Sequence, residues 1–390
     1  MTSNPLPERI DVGLVEVVVA TGALEGKTIA VLGNSDDRNQ IIVDALTASG
    51  YETTNQAVTN APTDDAAADA AELDIVIERW SSLGIDYIID TAGVDRPLAA
   101  ANRAGFEADW ATNRGTVLSV SRFESGATET EIARTVVVQE PQVELIYESG
   151  HAPTVACVDK WDANHPEEPA VFFPGEDDVD NLQRIARSCN QVETFAMIAT
   201  AAGLDLNPDT YSAAFASIGK YEVAMQPFAS LDVGKWDAGD SLALYTWDSD
   251  KQDFVAGDVI DSSAPETMSA PEDGAVLADS YRGVTADSIR VGFLLLDLVK
   301  LKENAGIELR WGDNEGQYRE AIASVNDNGG INGRTIDPVF VYVDPLSPTG
   351  YQEACVQINE DEEIFVVLGF VRPAESALCY TETGDTPFVG

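Results

Sequence analysis

The sequence predicts an α/β fold with two doubly wound, parallel-sheet lobes joined by a hinge. Short runs of β-branched and other apolar residues alternate with longer amphipathic segments along most of the chain, which is the pattern of βαβ units. The chain has 390 residues, enough for two lobes of about 150 residues with a core in each. The alternation is interrupted by a polar stretch over residues 259–286, rich in Pro, Ser and acid, and then restarts.

The first part of the chain has the pattern of half a doubly wound lobe. Residues 28–33 (TIAVLG) predict a strand, which is followed by a helix that ends at Gly50. An acidic helix over 65–81, a strand over 86–90 (DYIID) and a helix over 94–104 follow.

The same pattern restarts at residue 289, where a second lobe opens. A strand IRVGFLLL precedes a helix with Tyr318, Ile322 and Val325 on one face, and the turn NDNGGINGR ends that helix. Two further strands, PVFVYVD and IFVVLGF, are predicted after the turn.

Composition excludes several classes of function. Acidic residues number 67 and basic residues 23, and the resulting net charge of −44 repels nucleic acid and anionic membranes. We interpret this charge as a surface suited to a saline habitat, where salt screens self-repulsion; a lineage with generally acidic proteins is the alternative. No apolar run approaches the roughly 18 residues of a membrane helix, and the N-terminal MTSNPLPERI lacks a signal-peptide pattern.

The four cysteines do not form a zinc-binding pattern. There is no C-x-x-C pair, the sequence has only two histidines, and no metal site is predicted. An even number of cysteines in two well-separated couples is consistent with two local disulfides and an oxidising compartment. Four buried free thiols in a cytoplasmic protein are the alternative. The cysteines are Cys157, Cys189, Cys355 and Cys379.

From residue 289 onward the chain resembles the leucine/isoleucine/valine-binding family of type I periplasmic binding proteins. SIRVGFLLL resembles the first strand of that family, AIASVNDNGGINGRTIDPVFVYVD its helix, turn and second strand, and CVQINEDEEIFVVLGFVRPAESALCY its next helix, strand and loop. The N-x-x-G-G-I-x-G turn is the most specific motif, because adjacent glycines can end a helix in a left-handed conformation. Residues 8–150 resemble the second lobe of the family, and residues 227–255 its C-terminal strands.

The order of these matches predicts a circularly permuted chain. A fragment cut across two tandem binding domains is the alternative account of that order. The predicted parts are mainly the second lobe over 1–150, a segment returning to the first lobe over 151–238, closing strands at the hinge and second lobe over 239–258, a linker over 259–286 and the first lobe over 287–390.

The resemblance implies an extracytoplasmic solute-binding protein, periplasmic or attached to the cell surface, with no enzymatic activity and no cofactor. Such a protein holds a small polar or amphipathic ligand of the amino acid, amide or carboxylate class between its lobes and delivers it to the membrane permease of an ABC transporter. A monomer without a nucleic-acid partner is expected. The alternatives are a sensory domain that signals to a membrane partner and an enzyme on a similar sheet. The resemblance also implies a Cys355–Cys379 disulfide, which leaves Cys157 to pair with Cys189.

Candidate ligand-binding residues follow the predicted strands, because open α/β sheets bind ligands beyond the carboxyl ends of their strands. In the first lobe the candidates are Asp297 after IRVGFLLL and Phe370, Arg372 and Ser376 in the loop GFVRPAES. In the second lobe they are Asn34, Ser35 and Asp36 after TIAVLG, Thr91 after DYIID, and Ser121 and Arg122 after TVLSV.

The loop GFVRPAES departs from the family at a position where amino-acid-binding members have small hydroxyl residues. Phe370 and Arg372 stand there with a proline, which argues against an α-amino acid as the ligand. Arg372 would clamp a carboxylate and Phe370 would cover an apolar or planar part of the ligand; an ion pair of Arg372 with a surface acid is the alternative. Ser35 and Asp36 have a second interpretation too, as caps of the following helix.

No catalytic motif is found. GKTIAVLGNSDD lacks both the G-x-G-x-x-G and the G-K-[ST] phosphate-binding patterns, and the acidic runs lack the D-x-[DN]-x-[DN]-G calcium pattern. His151 and His165 flank Cys157, but both lie in polar stretches typical of exposed loops, which argues against a Cys–His nucleophile. We expect Trp236 to pack at a lobe junction, with ligand stacking as the alternative.

Overall fold

A computed structural model of the chain contains two compact α/β units, each built from segments that are distant in sequence. Unit 1 includes Gln142–Asp240 and Ser263–Gly390, and unit 2 consists of Leu6–Pro141 and Ser241–Ser262. The structure describes residues 6–59, 66–93, 95–118, 126–170, 181–232, 234–235, 237–263, 277–347, 349–369 and 378–390.

Helices and strands alternate along most of the chain. None of the described helices is long and apolar enough to cross a membrane. The helices are α1 (Pro7–Ala20), α2 (Asp36–Ala48), α3 (Ala66–Leu83), α4 (Asp95–Ala104), α5 (Glu129–Ile132), α6 (Val143–Glu148), α7 (Ala152–Asn164), α8 (Leu182–Ala201), α9 (Pro208–Ile218), α10 (Leu298–Ala305), α11 (Asn314–Asp327) and α12 (Gly350–Val356). The strands are β1 (Ile29–Gly33), β2 (Thr53–Val58), β3 (Tyr87–Asp90), β4 (Asp109–Thr112), β5 (Thr135–Gln139), β6 (Gly219–Val223), β7 (Gln226–Leu231), β8 (Ser241–Asp248), β9 (Asp253–Asp261), β10 (Ser288–Leu296), β11 (Thr335–Val343), β12 (Val366–Gly369) and β13 (Phe388–Val389).

Unit 2 contains a seven-stranded sheet in the order β2-β1-β3-β4-β5-β8-β9. Strands β1 to β5 run parallel, whereas β8 runs antiparallel to its two neighbours, β5 and β9. Every residue of β1 is buried, as expected for a central strand with both faces covered, and Val31 packs against Leu14 of α1 and Ile42 of α2. The strand order reverses between β1 and β3, because β2 lies on one side of β1 and β3 on the other.

Unit 1 contains a four-stranded parallel sheet in the order β11-β10-β12-β13 and a separate β6–β7 hairpin. Phe293 of β10 belongs to a core cluster with residues of α8 and α11, such as Phe195 and Tyr318. The next residue, Leu294, belongs to a second cluster with Ala354 of α12. Alternate side chains of a strand point to opposite faces, so helices cover both faces and the predicted doubly wound fold is confirmed.

The glycine-rich turn after α11 has the conformation that the sequence predicts. Gly329, Gly330 and Gly333 all have positive φ, and a Cβ at Gly330 would lie 2.1 Å from the carbonyl oxygen of Arg334, so only glycine fits there. The Arg334 side chain is fully buried. Its guanidinium donates hydrogen bonds to the carbonyl oxygens of Leu204, Ala278 and Thr285.

Both disulfides implied by the resemblance are present, and both lie in unit 1. Cys157 of α7 is bonded to Cys189 of α8, and Cys355 of α12 is bonded to Cys379. The alternative of four free thiols is therefore wrong.

The predicted linker over 259–286 is longer than the described structure allows. Strand β9 continues to Asp261, because Val259 and Ile260 still pair with β8. At the other end, Tyr281 and Ile289 each form a bridge with Val284, so this part of the segment packs next to β10. The linker was predicted from composition, and the Ser, Ala and acidic residues nearby gave no sign of these short strand pairings.

Candidate functional site

The candidate site lies at the carboxyl ends of β1 and β3 in unit 2, where the strand order reverses. Loops that leave the sheet at such a point diverge to opposite faces and open a crevice. Asn34, Ser35 and Asp36 follow β1 and are exposed, whereas Thr91 follows β3 and is fully buried. Four of the residues predicted in the second lobe therefore lie at this edge.

Ser35 is the N-terminal cap of α2. Its Oγ accepts a hydrogen bond of 3.3 Å from the backbone N–H of Arg38, so the interpretation of this loop as a helix cap is confirmed. Asp36 lies in the first turn of the same helix, where a carboxylate is favourable. The cap sets the first turn of α2 and with it the position of the Arg38 side chain.

The Arg38 guanidinium forms a two-point ion pair with a buried carboxylate of α1. Its Nε and Nη2 donate to the two oxygens of Asp11, each at 2.6 Å, and Asn113 Nδ2 donates to Asp11 as well. Asp11 is fully buried, and 16% of the Arg38 side chain is exposed. This network ties α1 and α2 to the segment that follows β4.

Arg114 is the second cation at this edge. Its Nε donates to the carbonyl oxygen of Thr91 at 2.8 Å, and its backbone N–H donates to Thr112 Oγ1 at 3.1 Å. Burial, and then the nearby charge of Arg38, lower the pKa of Arg114, although Asp90 and Asp11 oppose this shift. Among the described residues, no group accepts a hydrogen bond from its two terminal nitrogens.

Asp90, the last residue of β3, is a fully buried carboxyl group. It accepts hydrogen bonds from the backbone N–H groups of Ala92 and Gly93 and from Thr112 Oγ1, all of which favour the charged form. Burial outweighs them and raises the pKa of Asp90 to about 7. The edge therefore contains a carboxyl group whose charge changes near neutral pH.

Three polar oxygen atoms at this edge have no hydrogen-bond partner among the described residues. They are Thr91 Oγ1, Asn39 Oδ1 and Asn113 Oδ1. A Cβ at Gly33 would lie 2.1 Å from Asn39 Oδ1 and 3.3 Å from Thr91 Oγ1, so a larger residue at the end of β1 would displace the Asn39 amide. With two guanidinium groups beside them, these atoms can hydrogen-bond a small polar solute or water.

The corresponding edge of unit 1 is described only in part. Asp297 follows β10 and caps α10, since its carboxylate accepts from the Lys300 backbone N–H at 2.9 Å and lies 3.6 Å from the Lys300 ammonium. The predicted residues Phe370, Arg372 and Ser376 lie outside the described residues, as does Trp236.

The strand assignment that led to Ser121 and Arg122 was wrong. Gly115–Leu118, which includes the start of TVLSV, is a 3-10 turn, and the strand that precedes it is β4. Ser121 and Arg122 themselves lie outside the described residues. The residues that follow the true strand are Asn113 and Arg114, which were missed because DWAT is only four residues long.

Arg38 and Asp11 were missed because each lies inside a helix and not after a strand. The signal available for Arg38 was its position three residues after a candidate cap serine. Asp11 gave no such signal, because it is one acid among 67 in the sequence.

The two histidines lie in unit 1. His151 is not an exposed loop residue as expected, since only 8% of its side chain is exposed, and burial lowers its pKa. His165 stacks on Trp161 with ring centroids 3.8 Å apart. Cys157 lies in a disulfide and has no thiol to act as a nucleophile.

Comparisons with known proteins give structural matches only. No family model matches the chain, and no curated protein matches its sequence. The leucine-, isoleucine-, valine-, threonine- and alanine-binding protein from Brucella ovis, in a closed conformation, has a TM-score of 0.43 and 10% identity, over 67% of this chain and 67% of that chain. An extracellular ligand-binding receptor from Rhodopseudomonas palustris has a TM-score of 0.44 and 15% identity, over 65% and 69%. The substrate-binding protein of an ABC transporter from Aeropyrum pernix has a TM-score of 0.44 and 11% identity, over 67% and 66%.

Proposed function

We propose that the chain is an extracytoplasmic solute-binding protein that captures a small polar or amphipathic ligand and delivers it to the membrane permease of an ABC transporter. The observation that carries this proposal is the polar edge of unit 2, where Arg38, Arg114 and Thr91 meet at the reversal of strand order. Open α/β sheets bind ligands at this position. The unpartnered donors and acceptors there are suited to hold a solute without reacting with it.

The arrangement of this edge favours binding over catalysis. A nucleophilic mechanism needs a hydroxyl or thiol within hydrogen-bond reach of a base. Thr112 Oγ1 donates to the Asp90 carboxyl group, but both residues are fully buried. Thr91 Oγ1 has no hydrogen-bond partner in the described structure, and the oxygens of Asp11 are occupied by Arg38 and Asn113. We therefore expect the solute to be released unchanged.

The two disulfides support a location outside the cytoplasm. Cys157–Cys189 and Cys355–Cys379 leave no free cysteine, and disulfides persist where the surroundings are oxidising. A protein that meets its solute outside the cell and passes it to a permease would fold and act in such surroundings.

A ligand screen tests the proposed function. Purified full-length chain is heated with amino acids, carboxylates, amides and short peptides, and compounds that raise the melting temperature are titrated by calorimetry. We expect saturable binding of one class, which stabilises the folded state by mass action, and recovery of the compound unchanged by mass spectrometry. Conversion of the compound into a product would instead indicate an enzyme, and a panel without any binder would contradict the proposal.

A further inference from the structure

Arg38 and Arg114 together present unused hydrogen-bond donors at one point of the unit 2 edge. Nε and Nη2 of Arg38 donate hydrogen bonds to Asp11, so Nη1 remains as a donor. Nε of Arg114 donates to the Thr91 carbonyl oxygen, so both terminal nitrogens remain as donors. Within the described ranges these three nitrogens donate to no protein group. The two contacts with Asp11 fix the guanidinium plane of Arg38, and the contact of Nε with the Thr91 carbonyl oxygen holds the Arg114 guanidinium group at the edge.

Among the described residues Arg114 has no carboxylate within ion-pair distance, whereas Arg38 pairs with Asp11. Two guanidinium groups lie near two carboxyl groups, Asp11 and Asp90, and Asp90 is largely protonated below neutral pH because its pKa is raised to about 7. A partly buried cation without a counter-ion is costly, and an anionic group placed beside it removes part of that cost.

We propose that this edge binds the carboxylate of a monoanionic solute, with the terminal nitrogens of Arg114 as the main donors and Arg38 as a second cation. This assignment rests on the proposed function and adds the ligand class. A planar guanidinium matches the two oxygens of a carboxylate. A phosphate dianion fits less well, because Asp36 and Asp37 lie exposed in the first turn of α2 and add negative charge nearby.

Paired titrations of the full chain test the assignment. Acetate, propanoate and benzoate are each compared with the corresponding amide, and inorganic phosphate is titrated as a separate probe. The variants are Arg114→Gln and Arg38→Gln. The matched control is Arg103→Gln, which removes an exposed arginine of the same unit that pairs with Asp74.

The expected result is binding of a carboxylate, but not of its amide, to the wild type and to R103Q. R114Q should weaken that binding by about tenfold or more, as expected for a lost charge-assisted pair of hydrogen bonds, and R38Q by a smaller factor. Amide affinities equal to those of carboxylates, an unchanged affinity in R114Q, or a preference for phosphate would each overturn the assignment while leaving solute binding intact. If none of these compounds binds while the wider panel yields a binder, the assignment alone is wrong; if that panel yields none either, the proposed function is wrong too.

A variant that fails to fold would lose binding for an unrelated reason, so a measurement on the wild type tests the assignment independently. Arginine side-chain NMR signals should include two that shift on titration with the bound carboxylate and stay unmoved with its amide. One of these signals should be absent from the spectrum of R114Q and the other from that of R38Q. Carboxylate binding with no shifted arginine signal would place the ligand elsewhere and overturn the assignment.

Discussion

The two units have the same architecture, but each is stabilised internally in a different way. Each has a sheet of mainly parallel strands with a reversal of strand order. All four cysteines lie in unit 1 as two disulfides, whereas unit 2 has no cysteine. Both units bury carboxyl groups, Asp237 and Asp240 in unit 1 and Asp11 and Asp90 in unit 2, and burial raises the pKa of Asp90 to about 7. Covalent cross-links act largely on the unfolded chain and do not depend on protonation. Buried charges act on the folded state and make stability depend on pH and on partners.

The largest effect should come from removing both disulfides of unit 1. The bridged residues are 32 and 24 positions apart, and loops of that size are each stabilised by about 3.5 kcal/mol, or about 7 kcal/mol together. Replacing the four cysteines with serine should lower the free energy of unfolding of unit 1 by about this amount. Hydrogen exchange read by mass spectrometry should show faster exchange in unit 1 peptides and no change in unit 2 peptides. An equal change in both units would show that they unfold together and would remove the basis of the comparison.

The second effect concerns Asp90 and the pH dependence of unit 2. Its pKa is raised from 3.8 to about 7, so its contribution to stability is present at low pH and is lost as the pH rises from about 4 to about 7. Three pKa units correspond to about 4 kcal/mol as an upper limit. In urea unfolding, the wild type should lose stability between about pH 4 and about pH 7 relative to Asp90→Asn. Asp74→Asn, which removes an exposed charge of the same unit, should follow the wild type. Parallel curves for wild type and D90N would contradict this account.

The smallest of the three effects is expected for the ion pair of Asp11 and Arg38. Asp11→Asn leaves the Arg38 guanidinium without its counter-ion and should destabilise unit 2 by about 3 kcal/mol, at the low end for a buried pair because Arg38 is partly exposed. Replacing both residues, as in D11L/R38M, should cost less than D11N alone, since an apolar pair needs no counter-charge. Chemical denaturation of the three proteins gives the comparison. If the double variant were the least stable of the three proteins, the ion pair would stabilise the fold by more than the cost of burying its two charges, which would contradict this expectation.

Most of the fold was predictable because it depends on local patterns. The strand runs TIAVLG and IRVGFLLL and the turn NDNGGINGR gave correct elements, since burial on both faces and positive φ leave direct marks in the sequence. Short strands were harder, because four residues such as DWAT carry too little periodicity to stand out. The permuted order of the lobes stays a prediction.

The site was predictable only where it follows a strand. Ser35 and Thr91 could be found from that rule, although Ser35 also serves as a cap. The cations were not found, because Arg38 reaches the edge from inside a helix and Arg114 follows a strand that was assigned too late in the chain. Tertiary contacts between residues 27 and 102 positions apart, as between Asp11 and its partners Arg38 and Asn113, leave no local pattern in one sequence.

The discontinuous construction of the units has a consequence for biosynthesis. Unit 2 has its last strand, β9, once residue 261 has been made, so its sheet can be complete early. Helices α7 to α9 are made before β10 to β13, the sheet strands whose buried side chains share their core cluster. During that interval the apolar faces of these helices, including Phe195 and Ile198, lack their final cover. A nascent chain in this state is prone to aggregation, so the order of segments makes unit 1 the part that depends most on chaperones during synthesis.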